Sequence, residues 1–213
     1  MRPPAFASAT VLALLMGFPG LAQEPAAAPV PAYNIELVIF RTTSALGGAE
    51  NWAAETAAKN VSNDSSADET SSAAGTQVGH FIQVLPEAQF QLIDIEKRLR
   101  ASAGYAPIAH VAWSQTASAW GTRAGFPLQR LGIDVAELTG TVVLERGQYL
   151  HLGMTLAYTP ANPPAGLGAA PGTTFTLNAG RRVRFNERTY YDHPAFGVIA
   201  LVTPVAGTRP GRH

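Results

Sequence analysis

The sequence predicts an α+β fold: a largely antiparallel sheet with one packed helix and a long mobile insertion. Three observations lead there. Two runs of period-two apolar residues, Leu138, Gly140, Val142 and Leu144, then Leu150, Leu152, Met154, Leu156 and Tyr158, flank a tight connection at Arg146 and Gly147. That pattern is a long antiparallel hairpin with one face on a core. Ala88, Leu92, Ile95 and Leu99 recur at helical spacing. The order is strand, helix, strand and then several strands, which places one helix on a mainly antiparallel sheet.

The chain opens on a processing signal. Arg2 gives a positive start, an apolar run covers residues 5–18, and Pro19, Gly20, Leu21 and Ala22 place small residues at the −3 and −1 positions. Residues 1–22 are expected to be a secretory signal peptide cleaved before Gln23. The apolar run is shorter than the ~20 residues a membrane helix needs. Export to the periplasm follows, with no membrane span after cleavage. Residues 23–32, rich in alanine and proline, read as an extended linker.

One domain is expected over residues 33–205. Residues 33–41 are β-branched and apolar enough for a central strand. Residues 42–79 are dominated by small polar residues and acids, with little to pack except Trp52, so they cannot bury enough surface to offset their ordering entropy. A helix can begin at Pro86 and end by Gly104, with Asp94–Arg98 and Glu96–Arg100 as i,i+4 pairs. Strands are expected at 105–115, in the hairpin over 137–159, and at 181–190 and 196–203. Residues 160–172 are a Pro/Gly-rich loop and 206–213 a loose tail.

Composition excludes several function classes. A zero net charge lacks the basic excess of a nucleic-acid binder. Without cysteine there is no disulfide, no lipid-modified cysteine and no thiol-based transpeptidase. Charge is uneven: residues 50–69 hold five acids and one base, and residues 181–213 hold six arginines against Glu187 and Asp192. Such asymmetry fits an interaction surface or an ordinary solvated exterior.

No Gly-x-Ser-x-Gly elbow, Ser-x-x-Lys pair or His-Glu-x-x-His helix is present. His110, His151, Glu187, Asp192 and His193 are ligand types that zinc uses, but without ligand spacing. They stand either as a metal site or as hydrogen-bonded structural residues, His193 bonding the turn before Pro194. No metal or cofactor is assigned. On a regular strand over 181–190, Arg182, Arg184, Asn186, Arg188 and Tyr190 project from one side, with Val183 and Phe185 opposite. Guanidiniums in a row attract carboxylates, which arginine grips bidentately, and Tyr190 offers a flat surface to a sugar ring. The alternative is a solvated face. Glu187 is expected to pair with Arg181 or Arg146, or to mark a bulge. Tyr149 and His151, opposite Leu150 and Leu152, line solvent or a groove. The candidate ligand-binding residues are therefore Arg182, Arg184, Arg188, Tyr190, Tyr149 and His151.

With these residues in view, the sequence resembles the CsiV family of periplasmic peptidoglycan-binding proteins. The matching blocks are Tyr33-Asn34-Ile35-Glu36-Leu37-Val38-Ile39-Phe40, His110-Val111-Ala112-Trp113-Ser114-Gln115, Leu138-Thr139-Gly140, Tyr149-Leu150-His151-Leu152, Arg181-Arg182-Val183-Arg184 with Glu187, Tyr190-Tyr191-Asp192-His193-Pro194 and Phe196-Gly197-Val198. Residues 42–79 and 160–172 match poorly. The resemblance implies a non-catalytic factor that binds peptidoglycan and supports wall assembly with a penicillin-binding synthase and its lipoprotein activator. An envelope hydrolase using the histidine and acid group, and a protein–protein adaptor that never touches the wall, are the alternatives.

Overall fold

The computed structural model describes residues 30–43 and 78–205. The signal peptide, residues 23–29 of the linker, residues 44–77 of the insertion, and the tail expected above lie outside the described residues, and Ala32, the last residue of the expected linker, already belongs to the first strand.

Among the described residues, ten strands form two five-stranded sheets, whereas the sequence predicts a single sheet. The first runs in the order β2 (Phe81–Val84), β3 (Tyr105–Thr116), β1 (Ala32–Thr42), β10 (Phe196–Pro204) and β9 (Arg188–His193), antiparallel throughout. The second runs β4 (Ser118–Ala119), β6 (Leu138–Arg146), β7 (Leu150–Tyr158) and β8 (Phe175–Arg182), with β5 (Gly125–Pro127) also on β6. The hairpin β6–β7 forms as its alternation predicts, Leu138 opposite Tyr158 and Arg146 opposite Leu150.

Alternation along β1 explains its central place. Tyr33, Ile35, Leu37 and Ile39 point into a core shared with the second sheet, joined by Trp113, Val198, Val202, Leu144, Leu152, Leu156, Tyr158 and Phe175. Val38 points the other way, into a smaller cluster with Leu92 and Leu201 beneath helix α1 (Ile93–Ala101). Both faces of β1 are thus covered, and its sequence is accordingly almost continuously apolar. The layers run helix, sheet, sheet. Across the two sheets, the buried Tyr191 hydroxyl donates to the Leu152 carbonyl at 2.8 Å.

Two expectations are corrected. Pro86 opens only a 3₁₀ turn, Glu87–Gln89, and α1 starts later and ends at Ala101, three residues before Gly104. Its N-cap, Leu92, has no side-chain acceptor, and the Gln91 and Leu92 amides donate instead to the Glu36 carboxylate of β1, each at 2.8 Å. The expected surface pairs form, Asp94–Arg98 at 4.0 Å and Glu96–Arg100 at 2.5 Å. The expected strand over 181–190 does not. β8 ends at Arg182, residues 183–187 cross to the first sheet, and β9 begins at Arg188. The crossing is tied at both ends, Val183 N–H to the Leu150 carbonyl at 2.9 Å and Asn186 N–H to the Val202 carbonyl at 3.0 Å. Asn186 turns the chain at φ 60°, a left-handed conformation that asparagine tolerates better than most residues.

Gly140 of β6 is dictated by a close approach. Its φ is 139°, and a Cβ there would lie 2.1 Å from the Thr155 carbonyl oxygen of β7.

Candidate functional site

The break after Arg182 splits the six candidate residues. Tyr149, His151 and Arg182 gather on the outer face of the second sheet. Arg184 lies in the crossing and pairs with Glu187 at 3.6 Å, not with a ligand-facing row; Glu187 therefore has neither Arg181 nor Arg146 as its partner. Arg188 and Tyr190 belong to the helix-bearing side of the first sheet, since Tyr190 is in register with Ile199 and Val38. There Arg188 reaches Asp94 of α1 at 3.3 Å. Tyr190 stacks on Phe40 (centroids 6.2 Å apart, planes at 8°) and donates its hydroxyl to Asp192 at 2.8 Å. Burial and that carboxylate push the Tyr190 phenol well above its ordinary range. A single arginine face does not exist because the chain changes sheet within it.

On the second sheet, the residues assemble around the β6–β7 turn. Arg182 lies opposite His151, and His151 opposite Glu145. The Arg182 guanidinium carbon sits 3.4 Å from the centroid of Tyr149, close enough for a cation–π contact. The His151 ring packs on Trp120, with centroids 4.2 Å apart. Trp120 is held by its N–H to the Arg146 carbonyl at 3.2 Å, yet it is 60 % exposed and Tyr149 is 41 % exposed. The Glu145 carboxylate accepts the Arg123 amide, which fixes the acid end of the row. Nδ1 of His151 is buried and has no hydrogen-bond partner among the described residues. The result is a contiguous patch of two exposed aromatic rings and a guanidinium. Sequence reasoning missed Trp120. Its signal was an apolar residue in a short turn, Ala119-Trp120-Gly121-Thr122, with no alternation to bury it.

A second constellation also escaped the sequence. Nε2 of His110 on β3 lies 2.7 Å from Glu36 on β1, and Nδ1 lies 2.7 Å from Glu96 on α1. Carboxylates accept on both sides, so both ring nitrogens carry protons and the ring is an imidazolium. Each nitrogen has the partner that a hydrogen-bonded structural histidine requires, and the acidity of those partners charges the ring. Burial works against that charge, and the hydrogen bonds to Glu36 and Glu96 outweigh it, so the His110 pKa is raised. Glu96 is lowered, chiefly by its bond to His110 and, against burial, with help from Arg100. An imidazolium so bound has no lone pair with which to act as a base. It clamps the helix to the sheet. Beside it opens a cleft of about 430 Å³, lined by Glu87, Phe90, Ile93, Arg100 and Ile108 as well as by His110.

The remaining members of the suspected metal group do not converge on either place. His193 accepts the Ala195 amide at 3.1 Å, as expected of a turn residue, and packs on Phe196 and Phe175. Its pKa is lowered to about 4 by burial, against the opposing pull of Asp192. Trp113, fully buried, donates to Gln115 at 2.7 Å and belongs to the core. No group of three or more metal-ligating side chains is placed to hold an ion among the described residues.

A protein-family model described as "Peptidoglycan-binding protein, CsiV" matches residues 7–205. No curated protein and no solved structure matches the chain.

Proposed function

The chain belongs to the CsiV family of peptidoglycan-binding proteins, and from that premise we propose that it is a non-catalytic periplasmic factor that holds peptidoglycan on the outer face of its second sheet. The observation that carries the reading is the juxtaposition of Arg182 over Tyr149 beside the exposed Trp120. Large aromatic faces take the apolar side of a pyranose ring at small entropy cost, and a guanidinium pairs with the carboxylates of wall peptides. The occupied imidazolium of His110 supports a binding role over hydrolysis, because the best acid–imidazole arrangement in the described residues has no free base. The proposal extends to support of wall assembly alongside a penicillin-binding synthase and its lipoprotein activator.

Retention on purified sacculi tests this. The wild-type protein is expected to pellet with sacculi and to release no muropeptides, and Trp120→Ala is expected to stay in the supernatant while melting at nearly the parent temperature. Undiminished retention of Trp120→Ala moves the site elsewhere, and released muropeptides overturn the non-catalytic reading. Export is checked by the intact mass of protein from a periplasmic extract, which should begin at Gln23.

A further inference from the structure

The cleft beside His110 lies on the helix-bearing side of the molecule, away from the aromatic patch, and its chemistry is different. Phe90, Ile93 and Ile108 give it apolar walls. The Phe90 ring lies 4.5 Å from His110, so the floor is a ring pair held in place by the Glu36 and Glu96 hydrogen bonds. Four charged groups line it: Glu96 and His110, which pair with each other, and Glu87 and Arg100. Arg100 gives Glu96 its Nε (3.0 Å) and one terminal nitrogen (2.5 Å). Of the five guanidinium donors, those facing away from Glu96 are left for another acceptor. Its side chain is 65 % exposed. Glu87, in the turn before α1, has no cationic partner among the described residues. Glu87 sits in the turn that precedes α1 and Arg100 in the last turn of α1, and both line the cleft. At about 430 Å³ the volume falls in the range of small-ligand sites.

A site that offers an unneutralised carboxylate, spare guanidinium donors and apolar walls selects a ligand that carries both charges. We propose that this cleft binds a short peptide carrying both a free amine and a free carboxylate, the amine toward Glu87 and the carboxylate on Arg100. This rests on the peptidoglycan reading for the peptide's source, a wall stem peptide, and makes the cleft a second subsite on the side of the molecule opposite the glycan-holding patch. The floor is preorganised, since His110, Glu36 and Glu96 fix one another before any ligand arrives, which lowers the ordering cost of binding.

Titration calorimetry of the purified protein with the free tripeptide L-alanyl-γ-D-glutamyl-meso-diaminopimelate tests the cleft directly. The same peptide with its amines acetylated, and a peptide-free glycan oligomer, are the comparators. The proposal expects the tripeptide to bind, the acetylated form to bind weakly, and Arg100→Gln and Glu87→Gln each to lose roughly tenfold, the typical cost of one charge-assisted hydrogen bond. Both side chains are exposed, and unchanged melting temperatures check that the variants fold. Failure of the tripeptide to bind, or equal binding by parent and variants, overturns the proposal. If that failure accompanies normal retention on sacculi, the wall-binding reading stands without the cleft. Tripeptide binding without retention on sacculi supports the cleft and removes the wall reading.

Discussion

Glu36 in the middle of β1 and Leu92 at the head of α1 are 56 residues apart and joined by a 2.8 Å hydrogen bond from the Leu92 amide to the Glu36 carboxylate. The helix is therefore capped by a strand. The same carboxylate takes the Gln91 amide and the Nε2–H of His110, so one buried acid anchors a helix end and an imidazolium together. Removing it leaves the His110 charge poorly compensated and two amides without their acceptor. Glu36→Ala is expected to destabilise the fold by about 3 kcal/mol or more, read from urea denaturation. A loss within about 0.5 kcal/mol would show that water replaces the clamp, as at an ordinary surface position.

Stability should pass through a maximum near pH 6.5 insofar as the histidines govern it. His110 has a raised folded pKa, so its contribution is complete below the ordinary value of 6.5 and is lost as pH rises through the folded value. His193 behaves oppositely. It stays neutral in the fold down to about pH 4, whereas the unfolded chain takes up a proton below 6.5, so stability falls as pH drops from 6.5 toward 4. Glu96, lowered from 4.5, adds a further loss in stronger acid. Urea midpoints between pH 4 and 9 check the signs. His193→Gln should flatten the acid limb and His110→Gln the alkaline limb. Interchange of those two effects would refute the assignment.

Gly140 and Gly153 form a matched pair for testing packing. Both lie in the β6–β7 hairpin, but a Cβ at Gly140 would meet the Thr155 carbonyl oxygen at 2.1 Å, while one at Gly153 would meet nothing closer than 3.8 Å. The Gly140 backbone is also at φ 139°. Gly140→Ala should cost several kcal/mol, from steric overlap and a backbone region nearly restricted to glycine. Gly153→Ala should stay within about 1 kcal/mol. Thermal melts of the two variants should separate clearly, and equal melting temperatures would contradict the close approach.

Arginines on either side of the crossing should differ in function. Arg182 lies over an exposed ring on the aromatic patch, whereas Arg188 is matched to Asp94 on the other side of the molecule. Arg182→Glu is expected to weaken retention on sacculi, and more so at low salt, where the attraction is least screened. Arg188→Glu should leave retention unchanged. Parallel pull-downs at low and high salt measure both, and equal losses would show that neither face alone is the site.

The parts of the fold that were legible in the sequence are those written in local periodicity. The hairpin from Leu138 to Tyr158 and the central β1 announced themselves through alternation and a mostly apolar, β-branched run. The Arg181–Tyr190 stretch misled because its alternation continues across Asn186, and an asparagine in the left-handed region leaves no mark in hydrophobic pattern. The start of α1 was misplaced because its cap is Glu36, a residue no local rule connects to Leu92. The candidate site was legible in part for the same reason. Tyr149 and His151 lie two residues apart at the start of β7 and were paired by parity, while Trp120 and the Glu36–His110–Glu96 group exist only after distant segments meet. His110 and Glu36 are 74 residues apart, and nothing local marks either as half of a clamp.

The placement of the two faces has a consequence for geometry at larger scale. The aromatic patch lies on the outer face of the second sheet and the cleft on the helix side of the first, so they look in opposite directions, separated by two sheets roughly 10 Å apart and the helix layer beyond. The two proposed sites, facing apart, cannot close on one short stretch of polymer from both sides. They suit a spacer held between two strands, for which capture of the first strand raises the effective concentration of the second. A monomer built this way can act as a cross-bridge without dimerising.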